Sequence, residues 1–250
     1  MSNMNPFSLE SKTILVTGAS SGIGKATAFL CAEMGAKVVA VGRNEWRLED
    51  TLAALPGDGH VRVVLDLTDE TAVDAAVSSL PLLDGIANCA GIADMNPFQF
   101  VDRQEIDKVF LTNFLSPVML VNKLLKARKL QKGSSIVFVS SVDGPKVVHA
   151  GNSVYSASKS ALTGMARNMA IDLVGKKIRV NCVLPGTTDT DMIRTANVTE
   201  EMLQETAKAL PMKRFARPDE IANAIAFLLS DASSYMTGTE LVVDGGSSIV

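Results

Sequence analysis

Short apolar runs alternate with longer amphipathic segments along almost the whole chain. Seven runs have the length and composition of strands, at 13–17, 37–41, 61–65, 85–88, 135–140, 178–183 and 240–243. The segments between them have helical patterns, at 25–34, 45–55, from Thr68 or Asp69 to 79, at 102–129 as two helices, and at 153–173, 199–209 and 218–230. This alternation predicts a parallel sheet covered by helices on both faces. The expected fold class is therefore a doubly wound, Rossmann-like α/β fold of about seven strands.

No boundary divides this pattern. The 250 residues contain no Pro-, Gly- or Ser-rich linker and no block of like charge, and 47% of them are hydrophobic and 20% charged. Such a composition is typical of one globular domain with a sizeable core. A single domain over residues 1–250 is predicted.

Charge and cysteine usage argue against several classes of function. A net charge of -3 with scattered lysines and arginines is unfavourable for nucleic acid as a partner. Three cysteines without a C-x-x-C spacing and two histidines predict neither a disulfide framework nor a metal site. The N-terminal segment lacks the features of a signal peptide, and no apolar run is long enough to span a bilayer. We therefore expect a cytoplasmic protein without a membrane partner.

Tyr155 and Lys159 are the first candidates for chemistry, since they lie four residues apart in the helix predicted at 153–173. Residues at this spacing project from one helix face, so the ammonium group of Lys159 is expected near the phenol of Tyr155. A nearby positive charge favours the phenolate, which predicts a lowered pKa and proton exchange with a carbonyl or alcohol. The same spacing by itself more often marks a solvated helix face, so the interpretation depends on the rest of the chain.

A glycine-rich turn follows the first predicted strand, at the edge of the sheet where parallel α/β folds bind ligands. Gly18, Gly22 and Gly24 form it, although their spacing differs from G-x-G-x-x-G. Such a turn allows close backbone approach and presents free helix N–H groups to a phosphate. A plain tight turn is the alternative.

The end of the second predicted strand bears on the choice of dinucleotide. A carboxylate there would bond the adenosine ribose of NAD, whereas an arginine would pair with the 2′-phosphate of NADP. Arg43 follows the strand and Glu45 comes two residues later, so NADP(H) is favoured over NAD(H). A surface arginine that opens a loop is the alternative. Asp66, after the third strand, is a candidate acceptor for the adenine amino group, and a place beside a helix cap is the alternative.

Seven motifs extend over essentially the full chain. They are Thr17-Gly18-x-x-x-Gly22-x-Gly24, Asn88-x-Ala90-Gly91, Asn113, Ser141, Tyr155-x-x-x-Lys159, Pro185-Gly186 and Asp244-Gly245-Gly246. In this order and spacing they resemble the short-chain dehydrogenase/reductase family. Segments 210–221 and 237–246 are similar to its 3-oxoacyl-acyl-carrier-protein reductase branch.

The resemblance implies hydride transfer between a nicotinamide and a carbonyl or secondary alcohol, with four residues in catalytic roles. Tyr155 would be the general acid in reduction and the base in oxidation, and Lys159 would lower its pKa and hold the nicotinamide ribose. Ser141 would hydrogen-bond the substrate oxygen as charge develops. Asn113 would lie beside a water that links Lys159 to solvent.

The resemblance also implies a set of residues that contact the dinucleotide. Thr190 would bond the nicotinamide carboxamide. Thr188 stands where relatives usually have a branched aliphatic residue, so its backbone contact carries over more safely than its side chain. The full set is Gly18, Ser20, Ser21, Gly22, Ile23, Gly24, Arg43, Asn44, Asp66, Leu67, Asn88, Ala90, Gly91, Tyr155, Lys159, Pro185, Gly186, Thr188 and Thr190.

Two substrate classes remain open. The resemblance favours a 3-oxoacyl thioester, and in that branch basic residues near the site entrance receive an acyl carrier protein. Lys129, Lys132 and Lys176 are the candidates here, and a solvated surface is the favoured alternative for each. A sugar, polyol or other secondary alcohol is the alternative, and a non-catalytic dinucleotide sensor is a third interpretation. Relatives are commonly tetramers, so a homotetramer is expected.

The pocket for the substrate is expected between two loops, 93–101 and 187–209. Met192, Ile193 and Met202 are its apolar candidates, although methionine at such positions is as often core. The loop between Ser141 and Tyr155 is one residue longer than is common in the family, which bears on the shape of this pocket.

Overall fold

Seven parallel strands form one sheet in the computed structural model, which describes residues 5–194 and 198–250. The strands are β1 (Thr13–Thr17), β2 (Lys37–Gly42), β3 (Val61–Val64), β4 (Leu83–Asn88), β5 (Leu130–Val139), β6 (Arg179–Pro185) and β7 (Glu240–Val243). Their order across the sheet is β3-β2-β1-β4-β5-β6-β7. The chain order reverses between β1 and β4, and a crevice for a ligand opens at such a point. The predicted fold class is confirmed.

Eight α-helices connect the strands within the described residues. They are α1 (Gly22–Glu33), α2 (Glu45–Ala54), α3 (Glu70–Ser79), α4 (Arg103–Phe110), α5 (Ser116–Lys126), α6 (Ser153–Leu173), α7 (Glu200–Ala209) and α8 (Pro218–Leu229). Asp69, rather than Thr68, caps α3, because its side chain accepts from the backbone N–H of Ala72 at 2.9 Å. Two short segments lie outside the described residues. They are residues 1–4, at the start of the segment assessed for a signal peptide, and residues 195–197, inside the predicted pocket segment 187–209.

Helices cover both faces of the sheet because most strand residues are buried on both sides. On one face, α3, α5 and α6 pack through residues such as Val77, Leu124 and Leu162. On the other face, α1, α2 and α8 pack through residues such as Cys31 and Ile225. The sheet is thereby held as a fixed frame whose carboxyl edge carries the functional residues.

Several element boundaries differ from the predictions by one to three residues, and two differences are of another kind. β5 begins at Leu130, five residues before the predicted start, because a register shift in β4 between Leu83 and Gly85 lets Leu83 pair with Leu130. The two helices predicted over 102–129 are joined without a loop by one π-helical turn, Leu111–Leu115, between α4 and α5.

Two negative observations apply to residues 5–194 and 198–250. Every helix in these ranges is too short or too polar to cross a membrane. No three His, Cys, Asp or Glu side chains there are grouped to hold a metal ion.

Candidate active site

Ser141, Tyr155 and Lys159 meet where β5 ends and α6 begins. Two hydrogen bonds join the helix to the strand end. Ser140 Oγ donates to the backbone oxygen of Lys159 at 3.0 Å, and Lys159 Nζ donates to the backbone oxygen of Val139 at 2.9 Å. The first two turns of α6 are therefore fixed at the carboxyl edge of the sheet.

Asn113 joins this group from the π-helical turn between α4 and α5. Its side chain is buried, with Oδ1 accepting from the N–H of Ile92 at 2.8 Å and Nδ2 donating to the carbonyl of Ile92 at 2.9 Å. Nδ2 also reaches Ser158 Oγ in α6 at 3.2 Å. Asn113 thus holds the segment after β4 against α6, and π-helical turns of this kind often lie at functional sites.

Gly91 is the point where the segment after β4 meets the other two elements. A Cβ atom at residue 91 would lie 3.3 Å from Asn113 Oδ1 and 3.4 Å from Lys159 Nζ. Such short distances show that the amide of Asn113 and the ammonium group of Lys159 converge over the backbone of Gly91. The structure therefore brings together Asn113 and Lys159, two of the residues predicted to be catalytic.

Ser141 is oriented by the residue two positions later. The backbone N–H of Asp143 donates to Ser141 Oγ at 3.0 Å. Because the hydroxyl oxygen accepts in this bond, the hydroxyl proton remains available for a second partner. Ser141 is thereby suited to donate to a substrate oxygen.

The phenol of Tyr155 behaves differently from the sequence-based expectation. Burial raises its pKa to about 12, the Ser141 hydroxyl opposes this by hydrogen bonding, and the negative charge of Asp143 adds to it. The residue as a whole remains partly exposed. The prediction that Lys159 lowers this pKa is wrong for this arrangement, because its Nζ bonds the carbonyl of Val139 and lies 5.7 Å from the centre of the Tyr155 ring. Tyr155 is accordingly a protonated group near neutrality, the form that a general acid requires.

Lys159 is itself shifted by its surroundings. Burial lowers its pKa from 10.5 to about 8, while nearby Cys182 and Cys89 oppose the shift. An ammonium group in this range is mostly protonated near neutral pH and can still release its proton. Lys159 is therefore a buried group of the site that can exchange a proton near neutral pH.

The N-terminus of α1 leaves its N–H groups open. Its N-cap residue Ser21 makes no side-chain capping bond, and the first turn contains no acidic residue. By contrast, α2, α3, α4 and α7 are each capped by a side chain and have an acidic residue in the first turn. Unpaired N–H groups and the positive end of the helix dipole suit a phosphate group. This local chemistry fits the pyrophosphate of a dinucleotide.

The glycines of the turn before α1 are required by close contacts. Gly18 has a φ of 67°, and a Cβ there would lie 3.0 Å from the backbone of Ala90. A Cβ at Gly24 would lie 2.2 Å from the carbonyl oxygen of Gly18. A Cβ at Gly22 would meet the side chain of Thr190 at 3.1 Å, so the turn faces the segment after β6. The turn therefore packs closely between the ends of β1, β4 and β6, where only glycine leaves room for the neighbouring backbone.

Residues predicted to contact the adenosine lie at the ends of β2 and β3. The Arg43 guanidinium is exposed, with Nη1 3.8 Å from Asp66 Oδ2. Asp66 Oδ1 accepts from the backbone N–H and hydroxyl of Thr68 at 2.9 and 2.7 Å. Asp66 therefore lies beside the cap of α3, as in the alternative given for it above. Asn44 is the N-cap of α2, and its Oδ1 already accepts from the N–H of Arg47. Arg43 thus offers an exposed cation that is only loosely paired with Asp66, whereas Asn44 offers mainly its backbone.

Residues predicted to contact the nicotinamide half lie after β4 and β6. Gly186 packs tightly on the last loop, since a Cβ there would lie 2.9 Å from Asp244 Cα. Thr188 is buried and donates to the carbonyl of Gly186 at 3.0 Å, so its side chain is occupied within the loop. Asn88 is buried at the end of β4 and donates to the carbonyl of Val137 at 3.4 Å, which stabilises the sheet. The other members of the predicted set occupy the same edge: Ser20, Ile23, Leu67 and Pro185.

Lys129, Lys132 and Lys176 do not border this site within one chain. Lys129 and Lys132 lie at the start of β5, and Lys176 lies before β6. The amino ends of parallel strands are at the opposite edge of the sheet from Tyr155. The expectation that these lysines line the entrance is therefore wrong for a single subunit.

Asp143 is a buried residue of the site that sequence reasoning missed. Its carboxylate accepts from Ser156, Asn152 and His149. An aspartate in a loop of mixed composition carries no signal that separates it from a surface residue. Its nearness to Ser141 was the only available sequence clue.

Comparison with known proteins identifies the family. The family model described as Enoyl-(Acyl carrier protein) reductase matches residues 18–248. A solved structure named as a short chain dehydrogenase/reductase family protein is 36% identical, with a TM-score of 0.85 over 97% of this chain and 99% of its own. The chain belongs to the short-chain dehydrogenase/reductase family. As a member of that family it is an oxidoreductase that acts on alcohols or carbonyls with a nicotinamide cofactor.

Two further members are similar over nearly their full length. An uncharacterized oxidoreductase of Thermotoga maritima is 35% identical over 249 residues, which are 96% of this chain and 99% of the relative. A structure named as an NAD(P) dependent gluconate 5-dehydrogenase from Beutenbergia cavernae, with bound NADP, is 30% identical with a TM-score of 0.86, covering 97% of this chain and 98% of its own. These similarities support the fold and the reaction class for this short-chain dehydrogenase/reductase.

Proposed function

We propose that this protein is an NADP(H)-dependent reductase of a ketone carried on an apolar chain, with a 3-oxoacyl thioester as the preferred substrate. The observation that carries the proposal is that Asn113 and Lys159 meet over Gly91, while Tyr155 lies beside both Lys159 and Ser141. The open N-terminus of α1 lies at the same edge of the sheet. When bound, the nicotinamide supplies or accepts the hydride. The remaining steps fall to side chains of this chain.

Ser141 and Tyr155 would act on the substrate oxygen. The Ser141 hydroxyl, oriented by the Asp143 N–H, would donate a hydrogen bond to the carbonyl and stabilise negative charge on it. The protonated phenol of Tyr155 would transfer its proton to that oxygen as the carbonyl becomes an alcohol. Lys159 would then return a proton to the phenolate through an intervening hydroxyl or water, because its Nζ bonds the carbonyl of Val139. Asn113 would keep the segment after β4 in place beside Lys159.

Arg43 supports the preference for NADP(H). Its guanidinium is exposed at the end of β2, where a 2′-phosphate would lie, and a planar guanidinium binds phosphate in bidentate geometry. The Beutenbergia cavernae relative binds NADP, which is consistent with this choice.

The loops around the site favour an apolar substrate. Met95, Val148 and Met192 are exposed on the segments that follow β4, β5 and β6 at the carboxyl edge. Exposed apolar side chains on three neighbouring loops are typical of a binding surface for an acyl chain. Polyhydroxylated substrates would instead need hydrogen-bonding groups on this rim.

A turnover panel tests the proposal. We expect NADPH consumption with 3-oxoacyl thioesters, with kcat/KM rising by about tenfold or more as the chain is lengthened by two or three methylenes, since each buried methylene contributes about 0.8 kcal/mol. Turnover of polyols and sugar acids without turnover of these thioesters would refute the substrate class. Comparison of thioesters on coenzyme A and on an acyl carrier protein then tests whether the carrier is a partner.

A sugar or polyol dehydrogenase is the second candidate. It is favoured by the name of the Beutenbergia cavernae relative, a gluconate 5-dehydrogenase. Oxidation of gluconate with NADP, at a rate above that of any 3-oxoacyl thioester, would establish it.

We also propose a homotetramer in the cytoplasm. Ile106, Leu111 and Leu115 are exposed in or next to α4 and α5, and Met165 and Ile171 are exposed on α6. Apolar side chains at neighbouring helix faces suit packing against a second copy. Light scattering would show a mass near four chains, and cell fractionation would test the location.

A further inference from the structure

Asp143 is a buried charge that the proposed chemistry does not use directly. The residue is 5% exposed and accepts three side-chain hydrogen bonds. Ser156 Oγ donates to Oδ1 at 2.6 Å, Asn152 Nδ2 donates to Oδ2 at 2.6 Å, and His149 Nδ1 lies 3.0 Å from Oδ2. A buried carboxylate is costly unless donors surround it, so this cluster has a defined geometry.

The three donors come from one short stretch of chain. His149 lies in the loop before α6, Asn152 is the residue before its first turn, and Ser156 directly follows Tyr155. The carboxylate of Asp143 therefore joins the segment after β5 to the start of α6 on both sides of Tyr155.

The backbone of the segment after β5 also connects Ser141 to α6. The N–H of Asp143 holds Ser141 Oγ at 3.0 Å. The next residue, Gly144, has a φ of 103°, and a Cβ there would lie 2.3 Å from the carbonyl oxygen of Ser156. The segment after β5 thus packs closely against α6, next to the residues of α6 that Asp143 binds.

We propose that Asp143 is a positioning residue, whose buried carboxylate fixes the distance between the hydroxyl of Ser141 and the phenol of Tyr155. This inference rests on the proposed roles of those two residues. Asp143 is 5% exposed, and it acts through Ser141 on one side and through the first turn of α6 on the other.

The charge of Asp143 adds an electrostatic effect to the geometric one. It raises the pKa of Tyr155, in the same direction as burial, while the Ser141 hydroxyl opposes it. Lys159 lies over the ring from the same helix, and the π-helical turn packed against α6 contributes the uncharged Asn113. A negative charge at residue 143 keeps the phenol protonated and so favours reduction over oxidation.

Asp143→Asn is the principal test, because it keeps the shape and one acceptor but removes the charge. We expect unchanged NADPH affinity, a KM within about threefold of wild type, and a fall in kcat on the order of tenfold to a hundredfold from misplacement of the reacting groups. In alcohol oxidation, the rise of kcat with pH should move to lower pH, since the pKa of Tyr155 falls. A kcat and a pH profile equal to those of wild type would overturn the proposal.

Asn152→Ala tests the same link if Asp143→Asn does not fold. Asn152 makes no side-chain capping bond to α6, so its removal does not act through helix capping. We expect a smaller loss of kcat, with NADPH affinity unchanged. Gln131→Ala is the control at the amino edge of the sheet, where the exposed amide bonds the carboxylate of Asp84. Equal kcat for both variants would overturn the link through Asn152.

Tyr155→Phe separates this inference from the proposed function. If Tyr155→Phe is inactive while Asp143→Asn and Asn152→Ala turn over normally, the positioning role fails and the proposed function stands. If Tyr155→Phe itself turns over normally, the proposed chemistry fails.

Discussion

Arg43 Nη1 lies 3.8 Å from Oδ2 of Asp66, at the carboxyl ends of the neighbouring strands β2 and β3. Both side chains are substantially exposed, so this ion pair contributes little to stability. Its consequence is to place the guanidinium beside the expected position of the adenosine while leaving its other N–H groups available.

Removal of Arg43 should change the choice of cofactor. We expect Arg43→Ala to weaken NADPH binding by about tenfold to a hundredfold and NADH binding by less than about threefold, because a charged hydrogen bond contributes about 1.5–3 kcal/mol. Arg62→Ala, which removes a cation that pairs with Glu45 and Glu49, is the matched control. Titration of both nucleotides by fluorescence measures the effect, and equal weakening of the two would contradict the assignment.

The two tyrosines of the chain offer a direct comparison. Tyr155→Phe removes the proton donor and should lower kcat by about a hundredfold to ten-thousandfold without a large change in NADPH affinity. Tyr235 is fully exposed, so Tyr235→Phe should leave kcat at the wild-type value. Steady-state kinetics and nucleotide titration give both results. An unchanged cellular effect of Tyr155→Phe would favour the non-catalytic sensor.

Gly24 should be intolerant of even one methyl group. The Cβ of Gly24→Ala would lie 2.2 Å from the carbonyl oxygen of Gly18, so we expect a loss of stability of about 1–3 kcal/mol or more and weaker NADPH binding as the turn is displaced. Gly164→Ala in the exposed middle of α6 meets nothing within 4 Å and should stabilise the protein by up to about 1 kcal/mol. Urea unfolding of the pair checks the contrast, and equal stability of the two variants would contradict it.

Lys159 should lower the free energy of unfolding of the protein although the proposed reaction needs it. Its pKa falls from 10.5 to about 8 on folding, so the native state resists a proton that the unfolded chain binds. Lys159→Met should therefore raise the free energy of unfolding near neutral pH, by up to about 3 kcal/mol before the lost bond to Val139 is counted. The stability gained by Lys159→Met is complete below the pKa that Lys159 has in the folded protein, and it disappears as pH rises from about 8 to 10.5.

Urea unfolding of Lys159→Met and wild type near neutral pH and near pH 10 tests this sign. Turnover of the variant should be lost throughout, because the proton relay is gone. A stability difference that grows toward high pH would show that the ammonium group is stabilised, rather than destabilised, by its surroundings.

The seven strands could be predicted from sequence because each is a short apolar run followed by a turn. The π-helical turn at Leu111–Leu115 could not, since no residue type marks an extra residue in a continuous amphipathic pattern. The start of β5 at Leu130 was missed for a related reason. Its first residues are polar, and only pairing of Leu130 with Leu83 makes them strand.

The nearness of Tyr155 to Lys159 could be predicted from the sequence, but the place of Asp143 and part of the electrostatics could not. Helical spacing correctly placed Tyr155 and Lys159 on one side of α6, but it could not show that the ammonium group turns to Val139 or that burial dominates the phenol. The cluster around Asp143 depends on contacts between a loop and a helix, which sequence spacing does not determine. The position of Lys129, by contrast, follows from its place before β5 and could have been recognised from strand direction alone.

The π-helical turn that bears Asn113 contains one residue more than a regular helical turn, and the position of the Asn113 side chain depends on that extra residue. Deletion of any one residue in 111–115 would let α4 and α5 merge into a regular α-helix, with the residues on one side turned by roughly 100° about the axis. The hydrophobic face could be repaired by substitution elsewhere, but the paired bonds from Asn113 to Ile92 could not. The stretch should therefore accept changes of residue type far more readily than changes of residue number.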